Sequence, residues 1–440
     1  MRSLLALLFA VLLNNTFAQK TILVNNVQIF NGKDEKTTTG YVLIVGKLIS
    51  KISTAPIPTN KSADVLIIDG KGNFLMPGLI DAHVHTMMES ISMQAAMMAD
   101  IGYLTLLAAN AAEKQLLRGF TSVRDLGGNS FSLKTAIDQG LTKGPRIYPS
   151  GATISQTGGH GDFGMPTDVP RQIGGPLSYM EKTGMTIIAD GADQVLMRTR
   201  EQLRQGASQI KLMAGGGVAS NYDPLDVAQY SDEEFKAAVL AAENWGTYVT
   251  VHAYTPKAIL SAVNAGVKCI DHGQLMDEPT ARLLAEKGVW LSLQPFLDDE
   301  DANPFPEGSS NRKKQIEMSN GTANAYTLAK KYKIKTAFGT DNLFDPKLAD
   351  RQGAKLAKLV KWHTPYEVLK MATSTNAELL AMSGPRNPYP NKLGVIEEGA
   401  YADMILVDGN PLQNIKLIED PTKNFLLIMK DGVIYKNAIK

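Results

Sequence analysis

The chain has 440 residues, a formal net charge of +1 and a hydrophobic content of 44%. This near-neutral balance argues against a nucleic-acid-binding protein, which needs a basic surface. The length allows one large domain and a smaller one. Cys269 is the one cysteine, so neither an intramolecular disulfide nor a cysteine-based zinc site can form. Any metal ion must therefore be held by His, Asp, Glu or a modified Lys.

The first residues predict an export signal. Arg2 precedes the apolar run Leu4–Leu13, and a small-x-small cleavage site ends at Ala18. The run is too short to cross a bilayer, and no later stretch is a transmembrane candidate. We therefore expect residues 1–18 to be a signal peptide and the mature protein to be exported, either to the periplasm or to the medium.

Both ends of the mature chain are rich in strand-forming residues. The N-terminal candidates are Thr21–Val24, Tyr41–Val45 and Leu48–Ile52. At the other end, a strand candidate at Ala402–Val407 is followed by a hairpin over Phe425–Tyr435 with an Asp-Gly turn. We expect residues 19–75 and 386–440 to form one small composite β-sandwich domain.

Residues 76–385 alternate apolar strand candidates with helical patterns. The strand candidates are Leu79–His85, Thr121–Arg124, Arg146–Ser150, Gln209–Met213, Tyr248–His252, Lys268–His272, Val289–Gln294 and Lys335–Thr340. The helical segments include Leu104–Leu117, Arg198–Gln205, Asp232–Asn244, Pro256–Asn264, Thr280–Lys287 and Asn311–Lys331. This alternation predicts an α/β fold with a (β/α)₈ TIM barrel. A doubly wound open sheet is the alternative, although no Gly-x-Gly-x-x-Gly motif supports a dinucleotide site.

Polar residues close several of these strands, at the rim where (β/α)₈ barrels carry their active sites. Four of the six histidines lie at predicted strand ends, and a fifth, His160, lies in the glycine-rich loop after the third strand. The strand-end set comprises His83, His85, His252 and His272, with Lys211 in the fourth strand and Asp341 after the eighth. Imidazole and carboxylate suit a borderline metal ion such as zinc. The concentration of these groups predicts a metal site.

These motifs resemble the amidohydrolase superfamily of metal-dependent hydrolases. The resemblance covers Met76–His85, Lys211, His252, Asp271–Gly273 and Gly339–Asp341. In that superfamily, a strand-four lysine together with His-x-His implies two divalent metal ions, most often Zn²⁺, and a lysine carboxylated by CO₂. The resemblance thus implies that Lys211 is carboxylated and bridges both ions, although a buried ammonium remains its alternative. It places one ion on His83, His85 and Asp341, and the other on His252 and His272.

Shorter motifs resemble the imidazolonepropionase-like and Xaa-Pro dipeptidase branch. They are Thr121–Asp125, Gly158–Asp162, Lys211–Gly217 and Tyr230–Glu234. The resemblance implies hydrolysis of the amide bond in a dipeptide or N-acyl amino acid of the C-terminal Pro, Arg or Lys type. Hydrolysis of a cyclic amide such as an imidazolone, of a lactone or of an ester is the alternative. A deaminase is disfavoured because deaminases of the superfamily usually lack the strand-four lysine, and a non-catalytic binding protein is disfavoured because the ligand set is complete.

Further residues have predicted roles around this site. Asp341 would also transfer protons during hydrolysis. His160 and Tyr230 would contact the oxyanion or the carboxylate of the substrate, and Arg124 would pair either with that carboxylate or with Asp125. The acidic run Asp298–Asp301 is either a solvated loop or an attractant for a basic substrate. The expected partner is a small-molecule substrate; the sequence leaves open whether the chain forms a homo-oligomer.

Overall fold

The computed structural model describes residues 20–59, 65–172 and 174–439, so the predicted signal peptide at residues 1–18 lies outside the described residues. The strands are β1 Thr21–Ile29, β2 Thr38–Val45, β3 Leu48–Ser53, β4 Val65–Asp69, β5 Phe74–Pro77, β6 Leu79–Val84, β7 Phe120–Asp125, β8 Arg146–Pro149, β9 Thr153–Ser155, β10 Thr186–Ile188, β11 Ile210–Met213, β12 Val249–Ala253, β13 Cys269–His272, β14 Trp290–Leu293, β15 Thr336–Phe338, β16 Met404–Val407, β17 Phe425–Lys430 and β18 Val433–Asn437.

The α-helices are α1 Met93–Met98, α2 Ile101–Leu117, α3 Phe131–Asp138, α4 Tyr179–Lys182, α5 Ala192–Gln205, α6 Asp232–Asn244, α7 Pro256–Asn264, α8 Glu278–Lys287, α9 Ser310–Lys331, α10 Pro346–Asp350, α11 Gln352–Ala357, α12 Pro365–Lys370, α13 Asn376–Ala381 and α14 Pro421–Asn424. A π-helical segment, Met371–Thr375, joins α12 to α13. Three 3₁₀ turns lie at Lys358–Lys361, Gly384–Arg386 and Ile415–Ile418. Within the described ranges, no helix is both long and apolar enough to span a membrane.

Strands from both ends of the chain share one sheet. Its order is β18-β17-β16-β5-β1-β2-β3, and β4 pairs with β1 outside this path. The register of β1 shifts between Val24 and Val27, where Asn26 adopts a left-handed φ of 52°. This bulge divides β1, whose first half pairs with β4 and whose second half pairs with β5. The strands expected to form a sandwich are therefore hydrogen-bonded into one eight-stranded sheet.

The middle of the chain forms parallel sheets, as the alternating pattern predicted. One has the order β10-β9-β11-β12-β13-β14-β15 and the other the order β6-β7-β8. Their strands are buried along almost their whole length, as expected where helices cover a parallel sheet. The two sheets approach each other where Asp341 N donates to His83 O over 2.8 Å, and where Asn376 Nδ2 donates to Ile80 O and Phe338 O over 2.7 and 2.8 Å. The mixed α/β architecture with an additional β domain is thus confirmed.

The eight strands predicted for the middle region correspond to β6, β7, β8 and β11 through β15, with end points that differ by a few residues. The segment between β9 and α5 contains two short elements, α4 and β10, that the sequence analysis did not predict. These elements have only four and three residues, which is too short for a hydrophobic period to be visible in the sequence.

A buried arginine connects the parallel sheet β6-β7-β8 to the eight-stranded sheet. Arg146 begins β8, and its guanidinium donates to the carboxylates of Asp403 and Asp431. It also lies 4.1 Å from the centre of the Tyr401 ring. Arg146 and Asp403 are 1% and 3% exposed, so neither charge is solvated by water and each depends on the other.

We predict that Arg146→Met lowers the free energy of unfolding by about 3–5 kcal/mol, because it leaves the Asp403 carboxylate buried and unpaired. Urea denaturation followed by circular dichroism would measure this loss. Lys236→Met is the matched control, because it breaks the exposed Lys236–Asp232 pair and should leave stability nearly unchanged. Equal stabilities for the two variants would contradict the structural role of Arg146.

Candidate metal centre

Three side chains converge where β6 and β15 end. His83 is the penultimate residue of β6, His85 follows that strand, and Asp341 follows β15. Asp341 Oδ1 lies 3.3 Å from His83 Nε2 and 3.1 Å from His85 Nε2. All three can offer ligand atoms within 4.8 Å of one another, a spacing that suits one metal ion.

One oxygen of this cluster lacks a hydrogen-bond partner. Within the described part of the chain, Asp341 Oδ1 is buried and makes no hydrogen bond of acceptable geometry, although it faces the Nε2 atoms of His83 and His85. Buried polar atoms normally have a partner, and a carboxylate oxygen beside two imidazole nitrogens is a donor set that divalent transition metals prefer. The residues therefore fit the metal ion that the sequence predicted.

His252 on β12 and His272 at the end of β13 lie beside this cluster. The ring centroids of His252 and His272 are 4.5 Å apart, and those of His83 and His272 are 5.0 Å apart. Together with Lys211 on β11, these residues line one small cavity of about 50 Å³. The structure thus brings together all six side chains that the sequence proposed as metal ligands.

Neighbouring groups fix which nitrogen of each ring is available. Gln294 Nε2 donates to Ser292 O over 3.0 Å, so its Oε1 accepts from His272 Nδ1 over 2.7 Å and leaves His272 Nε2 free. His252 Nε2 donates to the carbonyl of Gly216 over 3.1 Å, which leaves its Nδ1 free. Such outer contacts orient metal-binding imidazoles in proteins.

The histidines are buried in the form that binds metal ions. Burial lowers the pKa of His83 and His252 well below the ordinary value, with smaller contributions from neighbouring charged groups, and it lowers the pKa of His272 to about 4. Each of these imidazoles is therefore neutral at pH 7. A neutral imidazole is the state that a metal ion requires.

A buried carboxylate lies beneath the ligands. Asp271 Oδ2 accepts from Lys211 Nζ and from Thr250 Oγ1, each over 2.7 Å, while its Oδ1 accepts from Arg124 Nη2 over 2.6 Å. Burial alone would raise the pKa of Asp271, but Lys211 and Arg124 lower it overall. For Lys211, burial dominates and lowers the pKa.

Arg124 belongs to this lower layer. Its side chain is 0% exposed, and besides Asp271 it donates to Ala82 O over 2.6 Å and to Tyr248 Oη over 3.3 Å. The sequence offered Asp125 as its protein partner; the structure gives Asp271 instead. A contact between Arg124 and a substrate stays a prediction, and the guanidinium presents no accessible surface for one.

His160 lies in the site as the sequence suggested. Its ring stacks on that of His252 with a centroid distance of 4.1 Å, and its Nδ1 is 2.7 Å from Ser220 Oγ. The glycines of the Lys211–Gly217 motif make room for it, because a Cβ on Gly217 would lie 1.9 Å from the ring.

Tyr230 is placed differently. It packs against Phe235 in the core, and its hydroxyl is buried without a hydrogen bond to any described residue. Its backbone is strained, with a φ of 67°, and His272 and Asp341 share this left-handed conformation at 85° and 48°. Strain of this kind concentrates at functional sites. The role of Tyr230 in substrate contact stays a prediction.

A larger cavity of about 950 Å³ opens above the metal centre. His160, His252 and Asp341 line it together with a mainly apolar wall. Large side chains on that wall include Met93, Met97, Phe163, Phe296, Met318 and Phe344. The cavity is large enough for a small-molecule substrate.

Most of the acidic run beside the cavity is paired within the protein. Asp298 pairs with Arg312 over 2.7 Å, and Lys358 Nζ lies 2.7 Å from Asp299 and 2.6 Å from Asp301. Asp301 also pairs with Arg351. Among the described residues, exposed Glu300 is the one carboxylate of the run that remains for a basic substrate.

The sequence reasoning missed two positioning residues. Asp81 accepts from His83 N and Thr340 N over 3.0 and 3.1 Å and from Gln352 Nε2 over 2.8 Å, so it ties the ends of β6 and β15 together. Gln294 orients His272. Asp81 could have been found because a buried strand rarely contains a carboxylate without a specific partner; nothing in the local sequence distinguishes Gln294.

Comparisons with known proteins agree with this geometry. The model of the amidohydrolase family matches residues 74–436. Ochratoxinase from Aspergillus niger is 32% identical over 386 residues, which span 82% of this chain and 75% of that protein. A prolidase solved in complex with N-methylphosphonate-L-proline superposes with a TM-score of 0.86 at 32% identity, covering 95% of this chain and 100% of the other.

A Xaa-Pro dipeptidase with methionine bound in its active site superposes with a TM-score of 0.81 at 29% identity, again covering 95% of this chain and 100% of the other. These similarities confirm the resemblance drawn from the motifs. The chain belongs to the amidohydrolase family, is similar to its Xaa-Pro dipeptidase branch, and is a hydrolase acting on C–N bonds.

Proposed function

We propose that this protein is an exported hydrolase with two metal ions that cleaves the amide bond of dipeptides or N-acyl amino acids. The observation that carries the proposal is the convergence of His83, His85 and Asp341 beside His252, His272 and Lys211, below a cavity of about 950 Å³. The proximity of β6 and β15 supports a closed (β/α)₈ barrel as the scaffold.

In this proposal, His83, His85 and Asp341 would hold one ion, His252 and His272 would hold the other, and carboxylated Lys211 would be a ligand to both. Carboxylation needs a neutral amine: the Lys211 nitrogen attacks the carbon of CO₂ and loses one proton, which gives a carbamate anion. Burial favours that neutral amine because it lowers the pKa of Lys211. Zinc is the ion we expect, since the ligands are imidazole and carboxylate.

Bound divalent ions would supply Lewis acidity toward the amide carbonyl and a lowered pKa for water. The remaining work falls to residues of the chain. Burial raises the pKa of Asp341, but His85, His272 and Lys211 together lower it below the ordinary value, so the carboxylate is ionised at neutral pH. An ionised carboxylate at this position can take a proton from water and pass it to the departing amine.

The cavity wall narrows the substrate class. The resemblance implied a C-terminal Pro, Arg or Lys, but three of the four carboxylates in the acidic run pair with Arg312, Lys358 and Arg351. The wall also contains five methionine and four phenylalanine side chains, and its accessible surface is mainly apolar. We therefore favour proline or another apolar residue over arginine or lysine. The relatives named prolidase and ochratoxinase support an amide as the bond that is cleaved.

We predict that the metal-replete protein hydrolyses N-acyl-proline or N-acyl-phenylalanine faster than the matching arginine compound. Asp341→Asn should lower kcat about 10²- to 10⁴-fold, because it removes the proton carrier. Amine release from dipeptides and N-acyl amino acids, together with ring opening of an imidazolone and a lactone followed by chromatography, would measure both effects. Activity confined to the imidazolone or the lactone would refute the peptidase assignment in favour of its alternative.

The number of metal ions provides a second test. We predict two equivalents per chain, and one or fewer in Lys211→Met, because that variant cannot form the bridging carbamate. Elemental analysis would count the metal, and ¹³C NMR after labelling with bicarbonate would detect the carbamate. Lys361→Met, which changes an exposed lysine, should match the wild type. A single equivalent without a carbamate signal in the wild type would instead indicate a mononuclear enzyme.

Because the histidines are buried, we predict that the protein retains its metal ions at a lower pH than a site with exposed histidines would. An exposed imidazole is half protonated near pH 6.5, but the pKa of His272 is about 4 in the folded protein. Protons should therefore displace the ion held by His252 and His272 only below about pH 5. Metal content after equilibrium dialysis across this range would test the prediction, which fails if half of the metal is lost near pH 6.5.

A further inference from the structure

One buried lysine on the wall of the large cavity has no counterion. Lys355 lies in α11 and is 5% exposed. Among the described residues, it is the only Lys or Arg that lines this cavity, and no carboxylate lies within the 4.0 Å of an ion pair. Its ammonium donates to Asn342 Oδ1 instead.

An unpaired buried ammonium is costly, so burial favours the neutral amine. Burial lowers the pKa of Lys355 to about 8, against the weaker opposing effect of the more distant Asp341, Asp301 and Asp81. Asp301 does not relieve it, because its carboxylate is shared by Arg351 and Lys358. The wall therefore presents a positive charge that the protein itself does not neutralise.

Asn342 adds a second unsatisfied donor. An ammonium can only donate, so the contact with Lys355 fixes Oδ1 as the atom that faces it. The other end of the amide, Nδ2, is then a donor, and it is buried without a partner among the residues that the structure describes. Asn342 is 3% exposed and lines the same cavity. A free N–H group and a cation side by side match the two oxygens of a carboxylate.

We propose that Lys355 and Asn342 form the subsite that binds the free carboxylate of the substrate. This inference rests on the proposed function, and it names the α-carboxylate of an N-acyl amino acid or dipeptide as the group recognised. In such a substrate, only the amide nitrogen and Cα separate the scissile carbonyl carbon from the carboxylate carbon. These two carbons are therefore at most about 4 Å apart. Asn342 and Lys355 line the same cavity as Asp341, so the subsite and the metal centre face one substrate space.

Tyr254 also lines this cavity beside His252 and His272, but its hydroxyl is neutral and brings no charge to a carboxylate. The charged candidates and the residues that the sequence suggested are less suitable. Arg124 is 0% exposed beneath the ligands and is bonded to Asp271. Tyr230 does not line the cavity. His160 does line it, but its Nδ1 contacts Ser220 Oγ over 2.7 Å and lies 3.5 Å from Asp223. Lys211 is bonded to Asp271 at the metal centre. Lys355 is thus the cation left for the substrate.

The test compares N-acetyl-L-phenylalanine with N-acetyl-L-phenylalaninamide, which lacks only the free carboxylate charge. For metal-replete wild type we expect kcat/KM and affinity by calorimetry to favour the acid about 10- to 100-fold. Lys355→Met should abolish this preference, mainly through KM, and Lys355→Arg should keep part of it. Asn342→Leu should reduce it about fivefold. Lys361→Met, an exposed neighbour, should retain the wild-type preference.

The outcomes separate this proposal from the one on which it rests. If neither compound nor any other N-acyl amino acid is hydrolysed, the proposed function fails. The affinities of wild type and Lys355→Met for the acid and the amide, measured by calorimetry, would still decide the role of Lys355. If Lys355→Met weakens the acid and the amide equally, Lys355 is structural and the proposal is wrong. An acid preference that survives in Lys355→Met but disappears in His160→Asn would assign the carboxylate to His160 and overturn the proposal.

Discussion

The structure of the active centre depends on the neutralisation of one buried carboxylate, Asp271. It lies at 0% exposure and receives hydrogen bonds from Arg124 on β7, Lys211 on β11 and Thr250 on β12. An ionised group at this depth is tolerated only when several donors surround it. Because β7 belongs to one parallel sheet and β11 and β12 to the other, satisfying Asp271 also ties the two sheets together beneath Lys211 and His252.

This arrangement also bears on the proposed carboxylation of Lys211. A carbamate would turn the cation beside Asp271 into an anion, and two neighbouring anions repel each other strongly in a buried site. Arg124 remains to balance Asp271, and two divalent ions would balance the carbamate. We infer that carboxylation and metal binding depend on each other, and that the buried guanidinium preserves the charge balance of the centre when Lys211 no longer supplies a positive charge.

The sequence predicted the groups whose position follows from strand order alone. Residues that close parallel strands meet at one edge, so His83, His252 and Asp341 could be assigned to one site from spacing. The contacts of Asp81 with Thr340 and Gln352 link residues more than 250 positions apart, and no local pattern reports them. Likewise, the acidic run looked like an open charge because its partners, Arg312 and Lys358, lie on other elements.

The same limit applies to Lys355. In the sequence it is one of several lysines on a short helical stretch, and its importance appears only when burial and pairing are known together. Most cations of the chain that lie near this region are paired, as Arg312, Arg351 and Lys358 are. Lys355 differs from them because it faces a cavity and has no ion pair. This combination indicates a ligand-binding role that the residue type alone does not.

The site therefore contains unpaired polar groups of two kinds. At its floor, the unpaired Asp341 Oδ1 faces the Nε2 atoms of His83 and His85, an arrangement that suits a metal ion. On its wall, the ammonium of Lys355 and the free amide of Asn342 call for an anion, while the methionine and phenylalanine side chains accept an apolar group. Buried polar groups that remain unpaired in a complex cost much binding energy, so a site of this kind strongly rejects ligands that cannot pair with them. An apolar wall discriminates less strongly between apolar groups of different size. Selectivity for a free carboxylate would thus be strict, while selectivity among apolar side chains would be graded.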